Sequence, residues 1–252
     1  MERWVNRVAV VTGASSGIGA AVAKYLANNG LITVGLDLCK TGIETLRDEL
    51  NAEARERIHA IQCDIRSEEQ IIAAFKEIER TYGPVAVLVN NAGITRLTTL
   101  LAEDSSQDIR DVVDTNIMGA IYCTREAFRS MKANGEDGHV FLINSIVGHR
   151  VPILPNSTLN IYPSTKHAIT ALTEMYRQEF LNQKTNIKIT SISPGIVDTS
   201  IYTEEIKKEM LNFSSLKRLK ANDIADALVY CLQTPPHVQI HELIIKPMGE
   251  ML

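Results

Sequence analysis

Along this chain, short apolar and β-branched runs alternate with longer stretches in which apolar side chains recur at helical spacing. The pattern predicts strands at residues 7–12, 31–36, 58–63, 85–90, 139–144, 187–193 and 240–245. Between them it predicts helices over 17–28, 41–53, 68–81, 107–132 and 164–182, with 204–211 and 223–232 after the sixth strand. Strands alternating with helices of this length build βαβ units, whose right-handed crossovers give a parallel sheet covered on both faces. The expected fold is therefore α/β, a doubly wound, seven-stranded parallel sheet in a single domain spanning 1–252. No repeat, low-complexity tract or Pro/Ser-rich linker divides the chain.

The first strand runs into Thr12-Gly-Ala-Ser-Ser-Gly-Ile-Gly19, and a helix with apolar Ile18, Val22 and Leu26 follows. Strand, glycine turn and helix together make an anion cradle. The glycines admit a close approach of backbone to pyrophosphate, and the unpaired N–H groups of the helix start favour negative charge. Taken alone, the turn reads equally well as a tight bend. Its company decides otherwise: Asp37, Asp64, Asn90-Asn91-Ala92-Gly93, Ser145 and Pro194-Gly195 fall at the ends of strands two to six. In open parallel sheets that is the ligand edge.

Composition narrows the setting. The chain is 45% hydrophobic and 22% charged, enough to build a core, and its net charge is −4 with no long basic block. Nucleic acid is not an expected partner. The amino terminus lacks a signal-peptide core and no apolar run is long enough to span a bilayer, so a cytoplasmic protein is expected. Cys39, Cys63, Cys123 and Cys231 have no metal-ligand spacing and read as reduced, half-buried small hydrophobes. His237 and His241 lie too far apart on an extended strand to share an ion, so no metal is expected.

Candidate chemistry gathers around Tyr162-Pro163-Ser164-Thr165-Lys166. A tyrosine and a lysine four apart on a helix share a face, and an ammonium nearby favours phenolate, drawing the phenol towards an acid/base role. Ser145 ends the fifth strand, where its hydroxyl can meet a substrate oxygen. Asn116 sits inside a helical stretch that its side chain disfavours, a local conflict of the kind functional sites leave.

In that order, Thr12-Gly-x-x-x-Gly17-x-Gly19, Asn90-Asn-Ala-Gly93, Asn116, Ser145 and Tyr162-x-x-x-Lys166 resemble the short-chain dehydrogenase/reductase superfamily, over nearly the whole chain. Cys123-Thr-Arg-Glu-Ala-Phe128 and Thr234-Pro-Pro-His-Val-Gln-Ile-His-Glu242 are similar to a subgroup of insect farnesol dehydrogenases and 17β-hydroxysteroid or carbonyl-reducing enzymes. The resemblance implies a Rossmann fold and hydride exchange with a nicotinamide dinucleotide. It implies that Tyr162 exchanges the proton, Lys166 holds the nicotinamide ribose and lowers the tyrosine pKa, and Ser145 orients the substrate oxygen. Asn116 would hold a water that links Lys166 to solvent. Asn91 would contact the adenosine side, Asp64 the adenine, and Ile196 with Thr199 the carboxamide. The cofactor-binding set is completed by Gly13, Ser15, Ser16, Gly17, Ile18 and Gly19 in the turn, and by Leu38, Ile65, Ala92, Gly93, Pro194 and Gly195 at the other strand ends.

Asp37 ends the second strand, where a carboxylate accepts from ribose hydroxyls and repels a 2′-phosphate. The resembling subgroup usually has a small residue and arginines there and uses NADP. Here the run is Asp37-Leu38-Cys39-Lys40, which points to NAD. Val147, Leu154, Ile201 and Tyr202 are the expected apolar wall of a substrate pocket, and 196–220 the expected lid. The expected activity is an NAD-dependent dehydrogenase of a lipophilic alcohol, terpenoid such as farnesol or steroid-like. The alternatives are an NADPH-dependent carbonyl or ketosteroid reductase and a non-catalytic dinucleotide sensor. The two long helices imply, by the resemblance, a homodimer or homotetramer.

Overall fold

Seven strands run in one direction through one sheet: β1 (Val8–Thr12), β2 (Ile32–Asp37), β3 (Ile58–Gln62), β4 (Val85–Asn90), β5 (His139–Ile143), β6 (Lys188–Pro194) and β7 (Glu242–Ile245). The structure is a computed structural model and describes residues 1–135, 137–153, 159–201 and 217–250. All neighbouring strands are parallel, in the order β3-β2-β1-β4-β5-β6-β7. The order reverses between β1 and β4, so the crevice opens beside the glycine turn.

Alternation along each strand sends side chains to opposite faces. From β1, Ala9 and Val11 join a core with α1 (Gly17–Asn28) and α8 (Ala221–Gln233). Val8 and Val10 join a second core with α4 (Glu68–Tyr82), α6 (Ala120–Ala133) and α7 (Tyr162–Asn182). Two apolar layers on one sheet are why the strands read as continuous hydrophobic runs.

Two expected helices are interrupted, each for a local reason. The second becomes α2 (Lys40–Asp48) and the short α3 (Ala52–Arg55), because the Asn51 side chain caps the latter through the Ala54 N–H at 2.9 Å. The long fourth stretch is α5 (Ser106–Val113), a π-helical segment (Asp114–Gly119) and then α6. The seventh strand is shorter than expected, and α7 begins at Tyr162 itself. The helix expected over 204–211 lies outside the described residues. Ahead of β1, a 3₁₀ turn (Glu2–Trp4) buries Trp4, whose indole N–H donates to Leu232 O at 2.9 Å. All four cysteines are free; three are buried and Cys39 is exposed, not half-buried. Among the described residues no helix is long and apolar enough to cross a membrane.

Candidate active site

The glycine turn is built to have no side chains in the way. Gly13 and Gly17 have φ of +65° and +55°, and a Cβ at Gly19 would overlap both the Gly13 carbonyl and the Asn91 amide nitrogen. The Ser16 side chain makes no cap bond to the first turn of α1, and among the described residues its N–H groups remain available to an anion. Thr12 Oγ1 accepts from the Asn91 and Ala92 N–H groups, each at 3.0 Å. Asn91 Nδ2 donates to Thr12 O at 2.9 Å and to Gly13 O at 3.1 Å. The Asn91 amide nitrogen thus holds the turn from behind, joining the ends of β1 and β4.

At the end of β2, Asp37 Oδ2 accepts the Ser15 N–H at 3.0 Å and Oδ1 the Cys39 N–H at 3.3 Å. The carboxylate fastens the glycine turn to the start of α2, with Leu38 exposed beside it. At the end of β3, Asp64 is held by Arg66, whose hydrogen bonds are the main cause that keeps its carboxyl below the usual range. Arg66 also reaches Asp111 at 3.2 Å, and Arg96 pairs with Asp108 at 3.3 Å. These ion pairs tie the loops after β3 and β4 to α5.

The interior end of the crevice collects the polar residues picked out in the sequence. The π-helical segment widens the helix by one residue where Asn116 turns inward, as such bulges often do at functional sites. Asn116 Oδ1 accepts the Ile94 N–H at 2.8 Å, and Nδ2 donates to Ile94 O at 3.0 Å and to Thr165 Oγ1 at 3.1 Å. Thr165 Oγ1 in turn donates to Tyr162 O at 2.7 Å. Lys166 is buried, donates to Ile143 O at 2.8 Å, and lies 5.6 Å from the centre of the Tyr162 ring. Ser145 stands on the Tyr162 side of the cleft, where its hydroxyl favours the ionised phenol.

The electrostatics correct one expectation. Burial pushes the Tyr162 phenol up to about 12, and what lowers it is the Ser145 hydroxyl, not Lys166. The lysine is turned to the Ile143 carbonyl, and burial pushes it down to about 8. Desolvation disfavours charge on both groups.

One cleft of about 610 Å³ gathers these residues: Gly13 and Ser15–Ile18 from the turn, then Asp37, Leu38, Asp64, Ile65, Asn91–Gly93, Ser145, Tyr162, Lys166, Pro194, Gly195, Thr199 and Ile201. All six strand ends singled out in the sequence contribute to it. Asn116 lies just behind the lining, as do Gly19, Ile196 and Val147; Val147 is buried in a 3₁₀ turn (Ile146–Gly148). Leu154 and Tyr202 lie outside the described residues, as does most of the expected lid. Thr12 and Thr165 stand inside the quoted motifs but had no role assigned, and Arg66 and Arg96 were not expected as parts of the site; a threonine at a strand end and an arginine in a loop carry no signal until their partners are known. His149 bonds Ser193 Oγ and Glu242 Oε1, each at 3.0 Å, and braces β6 against β7. Among the described residues no group of His, Cys, Asp or Glu could hold a metal ion.

Residues 7–210 match the short chain dehydrogenase family. The chain is 50% identical over 250 residues to farnesol dehydrogenase of Aedes aegypti, covering 99% of both chains. It is 41% identical over 257 residues to dehydrogenase/reductase SDR family member 11 of Mus musculus, covering 100% of this chain and 98% of that one. Among solved structures, an alcohol dehydrogenase from Thermococcus sibiricus complexed with 5-hydroxy-NADP superposes with a TM-score of 0.83 at 26% identity over 98% of both chains. A 3-ketoacyl-(acyl-carrier-protein) reductase from Brucella melitensis complexed with NADH gives 0.80 at 26%, over 96% of this chain and 98% of that one. The glycine turn, the strand-end crevice and these likenesses agree that the chain belongs to the short chain dehydrogenase family and is an oxidoreductase of nicotinamide dinucleotide chemistry.

Proposed function

We propose that this oxidoreductase oxidises a lipophilic alcohol with NAD, using Tyr162, Lys166, Ser145 and Asn116. The observation that carries the reading is convergence: Ser145 just past β5, Tyr162 at the start of α7 and buried Lys166 one turn on all line one cleft with the glycine turn. The alcohol class rests on the likeness to the Aedes aegypti farnesol dehydrogenase and on the apolar side chains expected around the cleft mouth.

The dinucleotide would lie along the strand ends, its pyrophosphate over the glycine turn and its adenosine between Asp37, Leu38 and Asp64; when bound it supplies the hydride acceptor and a positively charged ring. Ser145 Oγ holds the substrate oxygen beside the Tyr162 phenol. Once it has released its own proton to solvent, Tyr162 Oη takes the hydroxyl proton of the alcohol as a phenolate; in the reverse direction the neutral phenol gives its proton to a carbonyl. Lys166, positively charged, offsets the negative charge that forms on Tyr162. Asn116 holds the loop after β4 and, through Thr165, the first turn of α7 in register. The low polarity that pushes both ionisable groups towards neutrality also strengthens the attraction once the charges form.

NAD is favoured over NADP by Asp37. At the end of β2 its carboxylate would repel a 2′-phosphate, and its oxygens are already hydrogen-bonded to Ser15 and Cys39, so swinging aside would release the glycine turn. An NADPH-dependent carbonyl reductase is the second reading, favoured by the NADP-type ligand in the Thermococcus sibiricus neighbour. The reading also takes the protein as a cytoplasmic homodimer or homotetramer, with Met175 and Leu181 exposed on α7 as contact residues.

Initial rates with NAD and NADP against farnesol, steroids and short alcohols test the reading. Farnesol oxidation with NAD is the expected result; faster turnover with NADP at equal concentration overturns the cofactor assignment. Tyr162→Phe is expected to bind NADH as the wild type does while losing nearly all turnover, and undiminished activity removes Tyr162 from the chemistry.

A further inference from the structure

The turn after β6 carries Gly195 and Thr199 into the cleft lining. Gly195 N–H donates to Ile245 O at 2.7 Å, and Leu219 pairs with Ile196 O and the Asp198 N–H, each at 2.8 Å. Thr199 then packs against the glycine turn: a Cβ at Gly17 would lie 3.2 Å from Thr199 Cγ2. Among the described residues no backbone carbonyl accepts the Ile196 N–H.

A carboxylate from the far end of the chain accepts it. After β7 the backbone bends at Gly249, with φ of +92°, and Glu250 Oε1 takes the Ile196 N–H at 3.1 Å. Its other oxygen, Oε2, lies directly on Gly195, where a Cβ would overlap it. Oε2 is buried and has no hydrogen-bond partner among the described residues. Burial accordingly pushes the Glu250 carboxyl up, against the opposing effects of the Ile196 N–H and Lys246. A half-satisfied buried carboxylate costs stability, so the contact is not there to hold the fold together. Glu250 itself does not line the cleft; Gly195 and Thr199 do.

We propose that Glu250 is a positioning residue for the cofactor cleft: by holding the Ile196 amide and seating on Gly195 it fixes the turn that carries Thr199 onto the glycine turn, and so sets the affinity for the nicotinamide dinucleotide. The inference rests on the dinucleotide reading above. The requirement is for an acceptor of this length rather than for charge, which separates two variants: Glu250→Gln keeps Oε1 for the Ile196 N–H, and Glu250→Ala removes it.

The test uses the full chain as wild type, Glu250→Ala and Glu250→Gln, reading amide exchange at Ile196, NADH affinity by fluorescence, and KM and kcat separately. For Glu250→Ala we expect Ile196 exchange faster by about 10-fold. Its NADH Kd and cofactor KM should rise about 10-fold with kcat changed less than about 2-fold. Glu250→Gln should return all of these to within about 2-fold of wild type. Unchanged exchange in Glu250→Ala overturns the strut, faster exchange with unchanged NADH affinity overturns its role in binding, and a Gln variant as defective as Ala at an unaltered Tm overturns the acceptor argument. Wild-type protein that binds no nicotinamide dinucleotide overturns the functional reading itself, a result distinct from all three.

Discussion

Asn116 holds Ile94 by both ends of one amide, its Oδ1 accepting the Ile94 N–H at 2.8 Å and its Nδ2 donating to Ile94 O at 3.0 Å. The side chain does for the loop after β4 what a neighbouring strand would do, and the third bond, to Thr165, carries that restraint to α7. Asn116→Asp keeps the acceptor but sets a carboxylate oxygen against Ile94 O, and Thr165 Oγ1 can donate to it only by giving up its bond to Tyr162 O. We expect a loss of about 2 kcal/mol or more in urea unfolding, because a buried repulsion replaces two bonds. Asn116→Ala should cost less than Asn116→Asp, and a reversed order would show that the donors of the amide are not what matters.

Gly19 is the tightest point of the cradle. Gly19→Ala drives a methyl into the Gly13 carbonyl and the Asn91 amide nitrogen, so the turn must open and the link between β1 and β4 must loosen. Dinucleotide affinity is expected to fall about 100-fold, while Tm falls by a few degrees at most in a protein whose two cores are untouched. Isothermal titration with NADH measures the first and a thermal scan the second. Unchanged affinity would move the pyrophosphate away from this turn.

The pH behaviour of Tyr162 has a definite sign. Its folded pKa of about 12 lies above the usual phenol value of 10.0, so the phenol stays protonated across the neutral range. Carbonyl reduction, which needs the proton on Tyr162, should be flat through neutral pH and fall only in the alkaline range. Alcohol oxidation, which needs it removed, should rise with pH over the same span. The stability linked to this group is full below about pH 10 and is lost as pH rises towards 12, so Tyr162→Phe should remove that alkaline loss from urea unfolding curves.

His139 reports on the opposite end of the scale. It is buried at the start of β5, bonds Thr190 Oγ1 at 2.8 Å and stacks on Phe141, and burial holds its pKa well below 6.5. Because the unfolded chain takes up a proton near pH 6.5 that the folded ring refuses, stability is full above that pH and falls below it. The slope from this one group is at most about 1.4 kcal/mol per pH unit. His139→Phe should flatten the slope between pH 6.5 and 5; an unaltered slope there would assign it to other groups.

The alternation of apolar runs determined the sheet, the number of strands and the two-faced core, because a strand covered on both sides must be hydrophobic along its whole length. Glycines, Asp37, Asp64, Asn91, Ser145 and Pro194 at strand ends determined the ligand edge, since strand and helix direction follow from order in the chain. Asn116 was legible as a conflict with helix propensity, but the π-helical turn that resolves it was not, because its partners Ile94 and Thr165 are brought near only by packing. The charge balance at Tyr162 was likewise a tertiary matter. Spacing set Lys166 one turn away, yet the Ile143 carbonyl and the depth of burial decided that desolvation would win. Glu250 lies near one end of the sequence and its partner Ile196 in the middle of a turn, and only the β6–β7 pairing brings that carboxylate onto Gly195. Local periodicity is written residue by residue and survives in the bare sequence; the partner of a polar atom depends on distances across the fold, which only the packed chain fixes.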